Sequence, residues 1–397
     1  MDLYLLDWIN FLLRWAHVVV AIAWIGSSFY FVFLDASLVE PTDPQLREKG
    51  VGGELWAVHG GGFYNPQKYL GAPRQLPQHL HWFYWESYST FLTGFALFTA
   101  LYLFQADTFL IDPRVHAWTP AGAIPAALAF LVLFWLGYDA ICRLLDRGSQ
   151  KMAAASIAGL VVLASWLACH LFAGRAAFVL VGGMLAATMS ANVFFWIIPG
   201  QRKVIAQMRA GEPVDPAHGR RAKQRSVHNT YFTLPVLAAM LSNHYAFLHG
   251  AQGNWIVLVA LMAAGALIRT SFVARHRARV LGTRAPWGYA IGGCVLLVAL
   301  GAWLAPRPAA PAPAAVAAPS FAQVQAIARE RCSLCHNAQL ANKGVRLDAP
   351  DQIVGHAPQI YQQAVVLQAM PLNNATRITQ AERDVLKRWY EAGAKAD

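Results

Sequence analysis

Eight apolar runs, each long enough to cross a bilayer, constrain this chain more than any other feature. They fall at about 9–34, 82–105, 119–141, 152–173, 176–199, 230–249, 254–273 and 287–305. A hydrocarbon core about 30 Å thick is spanned by about 20 helical residues. Lipid offers no hydrogen bonds to the backbone, so runs of this length fold as helices. The expected fold is all-α: a polytopic membrane helix bundle of about eight spans over 1–305, followed by a small all-α domain. Charged residues make up only 13% of the chain, against about 25% in soluble domains. The first run lacks a basic leader and a small-residue cleavage site, and is too long for a signal peptide. It therefore reads as a span.

The net charge of +11 suggests a nucleic-acid partner until it is located. Eighteen Lys and Arg lie in the loops 35–81, 142–151, 200–229 and 274–286, whereas the opposite loops carry Arg114 and Arg175. That asymmetry is the positive-inside signal. The basic loops are thus cytoplasmic, and the partner is the lipid bilayer and no nucleic acid. The clearest is 200–229, with Arg202, Lys203, Arg209, Arg220, Arg221, Lys223 and Arg225. An even number of spans puts both termini on the other, periplasmic side of a bacterial inner membrane.

Near the C-terminus stands Cys332-Ser333-Leu334-Cys335-His336. Two thiols three apart followed by a histidine form the attachment signal for a c-type haem. The thiols bond the haem vinyl groups and His336 ligates the iron. Met370, in Ala369-Met370-Pro371-Leu372, is placed to be the sixth ligand. A zinc site would need two more ligands, and the only other histidine of this domain is His356. Residues 320–397 are therefore expected to be a one-electron carrier, a cytochrome c domain. C-type haem is attached outside the bacterial cytoplasm, which agrees with the side given by the loop charges. A Pro/Ala-rich linker at 306–319 tethers it. Thr379-Gln380-Ala381-Glu382 opens its last helix as a capping box.

Polar groups inside the spans are functional hypotheses by default. Span one carries His17. Span two opens His79-Leu80-His81 and bears Glu86. Span three ends in Tyr138-Asp139 and span four in Cys169-His170. Span five carries Asn192, and span six has His228-Asn229 at its inner end and Asn243-His244 at its outer end. Arg269 in span seven sits near the inner face, where a long cation can snorkel. Cys142, Cys169 and Cys294 stand singly, as packing residues. By depth, His17, His170 and His244 are outer, and His59, His79, His81 and His228 inner. A substrate oxidised at the inner face and a haem outside would need an intermediate carrier. A haem b held by His17 and His244, with His170 as substitute partner, would serve.

Loop 35–81 is unusual for a cytoplasmic linker. Its centre, Gly52 to Tyr69, holds Trp56, Phe63, Tyr64 and Tyr69 around His59-Gly60-Gly61-Gly62. Glycines permit close backbone approach, and no phosphate-loop signature is present. The loop reads as a substrate lid.

On these stretches, on Leu76 to Tyr88, Ala191 to Lys203 and Ser226 to Tyr245, and on the terminal haem motif, the chain resembles the membrane-bound urate oxidases (urate hydroxylases) fused to a cytochrome c domain. The resemblance implies oxidation of urate to 5-hydroxyisourate with oxygen taken from water. Electrons would pass to haem c and on to a respiratory-chain cytochrome or terminal oxidase. On that view Gln67, Lys68 and Asn229 bind the anion, and His59, Glu86 or His228 takes a proton. A competing reading is a membrane cytochrome passing electrons from quinol to a periplasmic acceptor. A transporter with a redox-sensing domain is weaker, since no convincing internal repeat is found.

Overall fold

The computed structural model describes residues 3–69, 71, 73, 76–146, 148–305 and 319–396. The linker expected at 306–319 falls, but for its last residue, outside them. The long helices are α1 (Leu3–Ser37), α2 (Trp85–Phe98), α3 (Pro120–Leu144), α4 (Gln150–Leu171), α5 (Gly174–Asn192), α6 (Ile198–Ala210), α7 (Pro216–Ser242), α8 (Asn254–Val280) and α9 (Trp287–Leu304). A π-helical turn, Thr99–Leu103, prolongs α2, and another, Val193–Ile197, joins α5 to α6.

Among the described residues, six helical segments are long and apolar enough to cross a membrane: Asp7–Ser37, Pro120–Leu144, Gln150–Leu171, Gly174–Ala210, Asn254–Val280 and Trp287–Leu304. The other two apolar runs, at about 82–105 and 230–249, fall mainly on α2 and α7, which pack within the same bundle but are not among the six. One is cut short by its π turn, and the other carries the polar residues of its first half.

α5 is the centre of the bundle. Phe178, Val181, Met184, Leu185 and Met189 are buried along it against α3, α4, α7 and α8. Helices in lipid gain little from apolar burial and depend on close packing of small residues. Gly265 of α8 shows this: a Cβ there would stand 3.2 Å from the backbone nitrogen of Pro235 in α7. Pro235 does not break α7, which runs on to Ser242.

Two expectations about α7 are corrected. Loop 200–229 is mostly helix. α6 continues to Ala210 and stops at left-handed Gly211, and α7 starts at Pro216 with the Asp215 side chain capping the amide of Ala217. Arg and Lys are good helix formers, and the Asp-Pro start and Gly stop leave only a short turn between. At the other end α7 finishes at Ser242, so Asn243-His244 lies in a turn beyond the helix, with His244 exposed.

The all-α expectation also needs one amendment, because loop 35–81 contains strands. β1 (Val51–Glu54) pairs antiparallel with β4 (Gln67–Tyr69), and β2 (Ala57–His59) with β3 (Gly62–Tyr64). Gly60 and Gly61, both at positive φ, make the two-residue turn between His59 and Gly62. That is the backbone such a hairpin turn requires, so these glycines have a conformational reason to be there.

The C-terminal unit is helical. α10 (Phe321–Arg331) and α11 (Gln380–Glu391) pack together, Phe321 on Trp389 at 6.1 Å between ring centroids. Both helices begin with capping boxes, Ser320 with Gln323 and Thr379 with Glu382. Asn373 donates to the carbonyl of Thr108, 2.8 Å away. Thr108 lies between α2 and α3. The unit thus sits at the bundle end formed by loops 104–119 and 243–253, opposite the basic loops.

Candidate functional site

A buried polar network lies near the basic end of the bundle, where α3, the α5–α6 junction and α7 meet. Arg225, His228 and Asn229 are spaced i, i+3, i+4 on α7 and share one face. Tyr138, Asp139 and Cys142 come from the last turns of α3. Asn192 ends α5, and Trp196 follows on the π turn. A π turn widens the helix locally and recurs at functional sites.

Asp139 is the hub. Its Oδ1 accepts from Arg225 Nη2 at 2.6 Å and from the Trp196 indole N–H at 2.8 Å, and its Oδ2 from Arg143 Nε at 2.6 Å. Arg225, 2% exposed, lies 5.0 Å from the ring centroids of both Tyr138 and Trp196, so aromatic faces take part of its charge. Asn192 Nδ2 donates to Tyr138 Oη at 3.0 Å and to Asn229 Oδ1 at 2.9 Å, and Asn229 Nδ2 donates to the Met189 carbonyl at 3.0 Å. With Tyr138 oxygen accepting from Asn192, its O–H is left to donate to His228 Nδ1, 2.8 Å away. A phenol and an imidazole are thereby joined in one line along which a proton can move.

Of the residues expected at the inner face, His228 and Asn229 enter this network. His59, Gln67 and Lys68 are exposed on the two ribbons. His59 flanks the hairpin turn. Gln67 Nε2 donates to Asn65 Oδ1 at 2.8 Å, and Asn65 in turn donates to the buried Glu54. Lys68 pairs with Asp35 at the end of α1, and partial burial and the neighbouring charge of Lys223 lower its pKa. The β1–β4 ribbon is thus fastened to the end of α1 and the segment just after it, where Val39 bridges Glu54. Glu86 is in the first turn of α2 and half-buried. Among the described residues no hydrogen bond joins these four side chains to the Asp139 network.

A match to the urate oxidase N-terminal family runs over residues 3–305. The chain belongs to that family. No curated protein and no solved structure was found to match it. In this urate oxidase family chain the match spans the whole membrane bundle and stops before the C-terminal unit.

The residues of that unit fit a haem c. α10 runs straight into the motif, where the amides of Cys335 and His336 both bond the Cys332 carbonyl, so both thiols stand on one turn. His336 Nδ1 lies 3.1 Å from the Val345 carbonyl. That bond would hold the ring and leave Nε2 for the iron. Leu340, Val366 and Met370 remain exposed in a domain whose other large apolar groups are mostly buried. Burial pushes the Cys332 thiol up to about 11, the opposite of the shift that makes a redox dithiol reactive.

A haem b on His17 and His244 does not fit. His17 packs against α2, its Nδ1 3.0 Å from Thr93 Oγ1 and its ring against Gly94. Thr93 lies ten residues before the end of the α2 extension at Leu103. At about 1.5 Å per residue His17 is thus roughly 15 Å deep, whereas His244 stands beyond the end of its helix. His170, exposed and bonded to the Trp166 carbonyl at 2.7 Å, is equally shallow. One porphyrin cannot be ligated from two such depths.

Sequence reasoning singled out Tyr138, Asp139 and Asn192 as polar residues but did not join them, and it counted Arg225 only as a topology charge. The i, i+3, i+4 set from Arg225 to Asn229 was the available signal. Reading 200–229 as a loop concealed it. Arg269, expected to snorkel, is instead 2% exposed, its guanidinium 3.6 Å from the Phe29 ring centroid and bonded to the Thr230 carbonyl.

Proposed function

We propose that this protein oxidises urate to 5-hydroxyisourate at the cytoplasmic face of an inner membrane, and that the electrons leave through a haem c on the periplasmic side. The family membership of residues 3–305 carries this reading. It is supported by a buried, proton-competent network near one end of the bundle and a Cys-x-x-Cys-His unit packed at the other. The bundle is read as eight spans, with both termini periplasmic.

The reaction consumes urate and water and yields 5-hydroxyisourate, two protons and two electrons. Cys332 and Cys335 would attach a haem c, and His336 and Met370 would ligate its iron; the group would supply one-electron acceptance, with onward transfer to a respiratory-chain cytochrome or terminal oxidase. The chain's own residues bind the anion, exclude bulk water and take up protons. His228, in line with Tyr138, is the acceptor for the proton released as water adds. Asn192 and Asn229 fix that line. The ribbons beyond the end of α1, with Trp56, Phe63 and Tyr64 exposed, supply aromatic faces that can help exclude water. Near-normal turnover by His59→Ala combined with Gln67→Ala would remove the ribbons from the reaction.

The decisive experiment is anaerobic addition of urate to membranes containing the oxidised protein. Reduction of the c-type haem is expected, with one urate consumed per two haems. Haem that stays ferric with urate but is reduced by quinol would establish the cytochrome reading instead.

A separate expectation concerns Arg383, 2% exposed on α11. Its Nη1 donates to the carbonyls of Ala364 and Met370, the latter at 2.9 Å, and its Nη2 to Asn374 Oδ1 at 3.3 Å. It fastens the Met370 segment. Arg383→Gln should destabilise the domain by about 1–3 kcal/mol and weaken the methionine–iron charge-transfer band. An unchanged band and unchanged melting would show that the segment holds itself.

A further inference from the structure

Beside the Asp139 network is a cleft of about 180 Å³, walled by Cys142, Arg143, Trp196, Arg221, Gln224 and Arg225, with Asp146 at its rim. Two features distinguish it from a packing fault. First, Arg225 is buried, yet its Nε and Nη1 have no hydrogen-bond partner among the described residues. Buried guanidinium donors left unpaired are costly and rare, and these belong to a side chain that already lines a cavity. Second, the charges do not cancel. Arg143 and Arg225 pair with Asp139, and Arg220 and Arg221 pair with Asp146. Two carboxylates thus meet four guanidiniums, which leaves positive charge in excess.

We propose that this cleft, and not the ribbon loop, is the seat of the planar urate monoanion, with the free Nε and Nη1 of Arg225 as its anchor. This rests on the urate oxidase reading above and assigns that activity a place. The chemistry matches: urate is a flat anion with carbonyl oxygens that accept from a guanidinium, and the carboxylates around the cleft are outnumbered by guanidiniums. The seat is also next to proton machinery. Tyr138, whose ring lies 5.0 Å from the Arg225 guanidinium, is the residue that bonds His228. Trp196 on the π turn and Arg225 on α7 both hold Asp139, so the π turn is where the wall is set. The carboxylate orients Arg225 by taking Nη2, and this leaves the other two nitrogens to the ligand. Gln224, half-buried at the mouth and 3.4 Å from Gln150, is where a substrate would pass.

The test is urate binding to full-length protein reduced beforehand, so that bound urate cannot be oxidised, measured by equilibrium dialysis. Arg225→Lys keeps the charge opposite Asp139 but loses the free Nε and Nη1 donors, and is expected to weaken binding roughly thirtyfold or more. Gln224→Glu adds a like charge at the mouth without touching the buried network, and is expected to weaken binding roughly tenfold. The second variant keeps the question answerable if Arg225→Lys fails to fold. Wild-type affinity in either folded variant overturns the proposal, as does a loss of binding confined to His59→Ala with Gln67→Ala. Failure of the activity itself reads differently: the wild type would bind urate at this cleft, yet its oxidised haem would not be reduced by it.

Discussion

Asp139→Ala is expected to be the most damaging single substitution in the membrane bundle, at about 3–5 kcal/mol. Asp139 is 5% exposed and accepts three hydrogen bonds, from Arg225, Arg143 and Trp196. Removing it strands the buried Arg225 guanidinium, already short of partners among the described residues. Arg143 can swing outward, since its side chain is 63% exposed, so the cost concentrates on Arg225 and on the Trp196 indole. Thermal unfolding of the purified protein, followed by tryptophan fluorescence, should move down clearly. Asp139→Asn should fall between, because an amide oxygen still accepts but no longer neutralises. Melting of the alanine variant at the wild-type temperature would mean that the network is hydrated and the pair is not a structural hub.

The architecture was legible because its determinants are local. A membrane-length apolar run can be little but a helix, and the capping box at Thr379 is a short pattern whose bonds form within four residues. The side on which the C-terminal unit sits followed from loop charge, and the contact from Asn373 to Thr108 agrees with it. What was not legible depended on where a polar run stops being loop. Residues 200–229 look like a cytoplasmic linker by composition. The turn between α6 and α7 is confined to the Gly211–Asp215 stretch, and everything on either side is helix. Arg225 was thereby hidden, since whether an arginine is a topology charge or a buried anchor depends on which neighbour faces it. The facing residue, Asp139, is 86 positions away. The glycines after His59 misled for the related reason that a permissive residue does not announce whether a turn or a ligand requires it. Pairing histidines by sequence also failed at His244, because the span boundary was placed seven residues too far along a helix that ends at Ser242.

Replacing both Cys332 and Cys335 by serine is expected to abolish urate-driven electron delivery while leaving the membrane bundle folded. The two effects separate because the domains have separate cores. Phe321, Val324, Ile353, Leu386 and Trp389 pack with one another and share no cluster with α5. On the proposed reading, covalent attachment through two thiols would be what keeps a haem in a domain this small. Its own apolar interior is completed on one side by Phe321 and Trp389, and on the other it leaves Leu340, Val366 and Met370 exposed. Without the thioether bonds His336 retains its Val345 carbonyl partner, but a single imidazole does not hold the macrocycle against loss. The double variant should therefore show no haem stain after denaturing electrophoresis and no absorbance change on anaerobic urate, yet should still bind urate when pre-reduced samples are compared. Loss of urate binding together with the haem would mean that the substrate seat is built partly from the C-terminal unit. The contact through Asn373 at the far end of the bundle from Asp139 makes that outcome hard to accommodate, because a seat at α3 and α7 would then have to sense a change transmitted along the full length of α5.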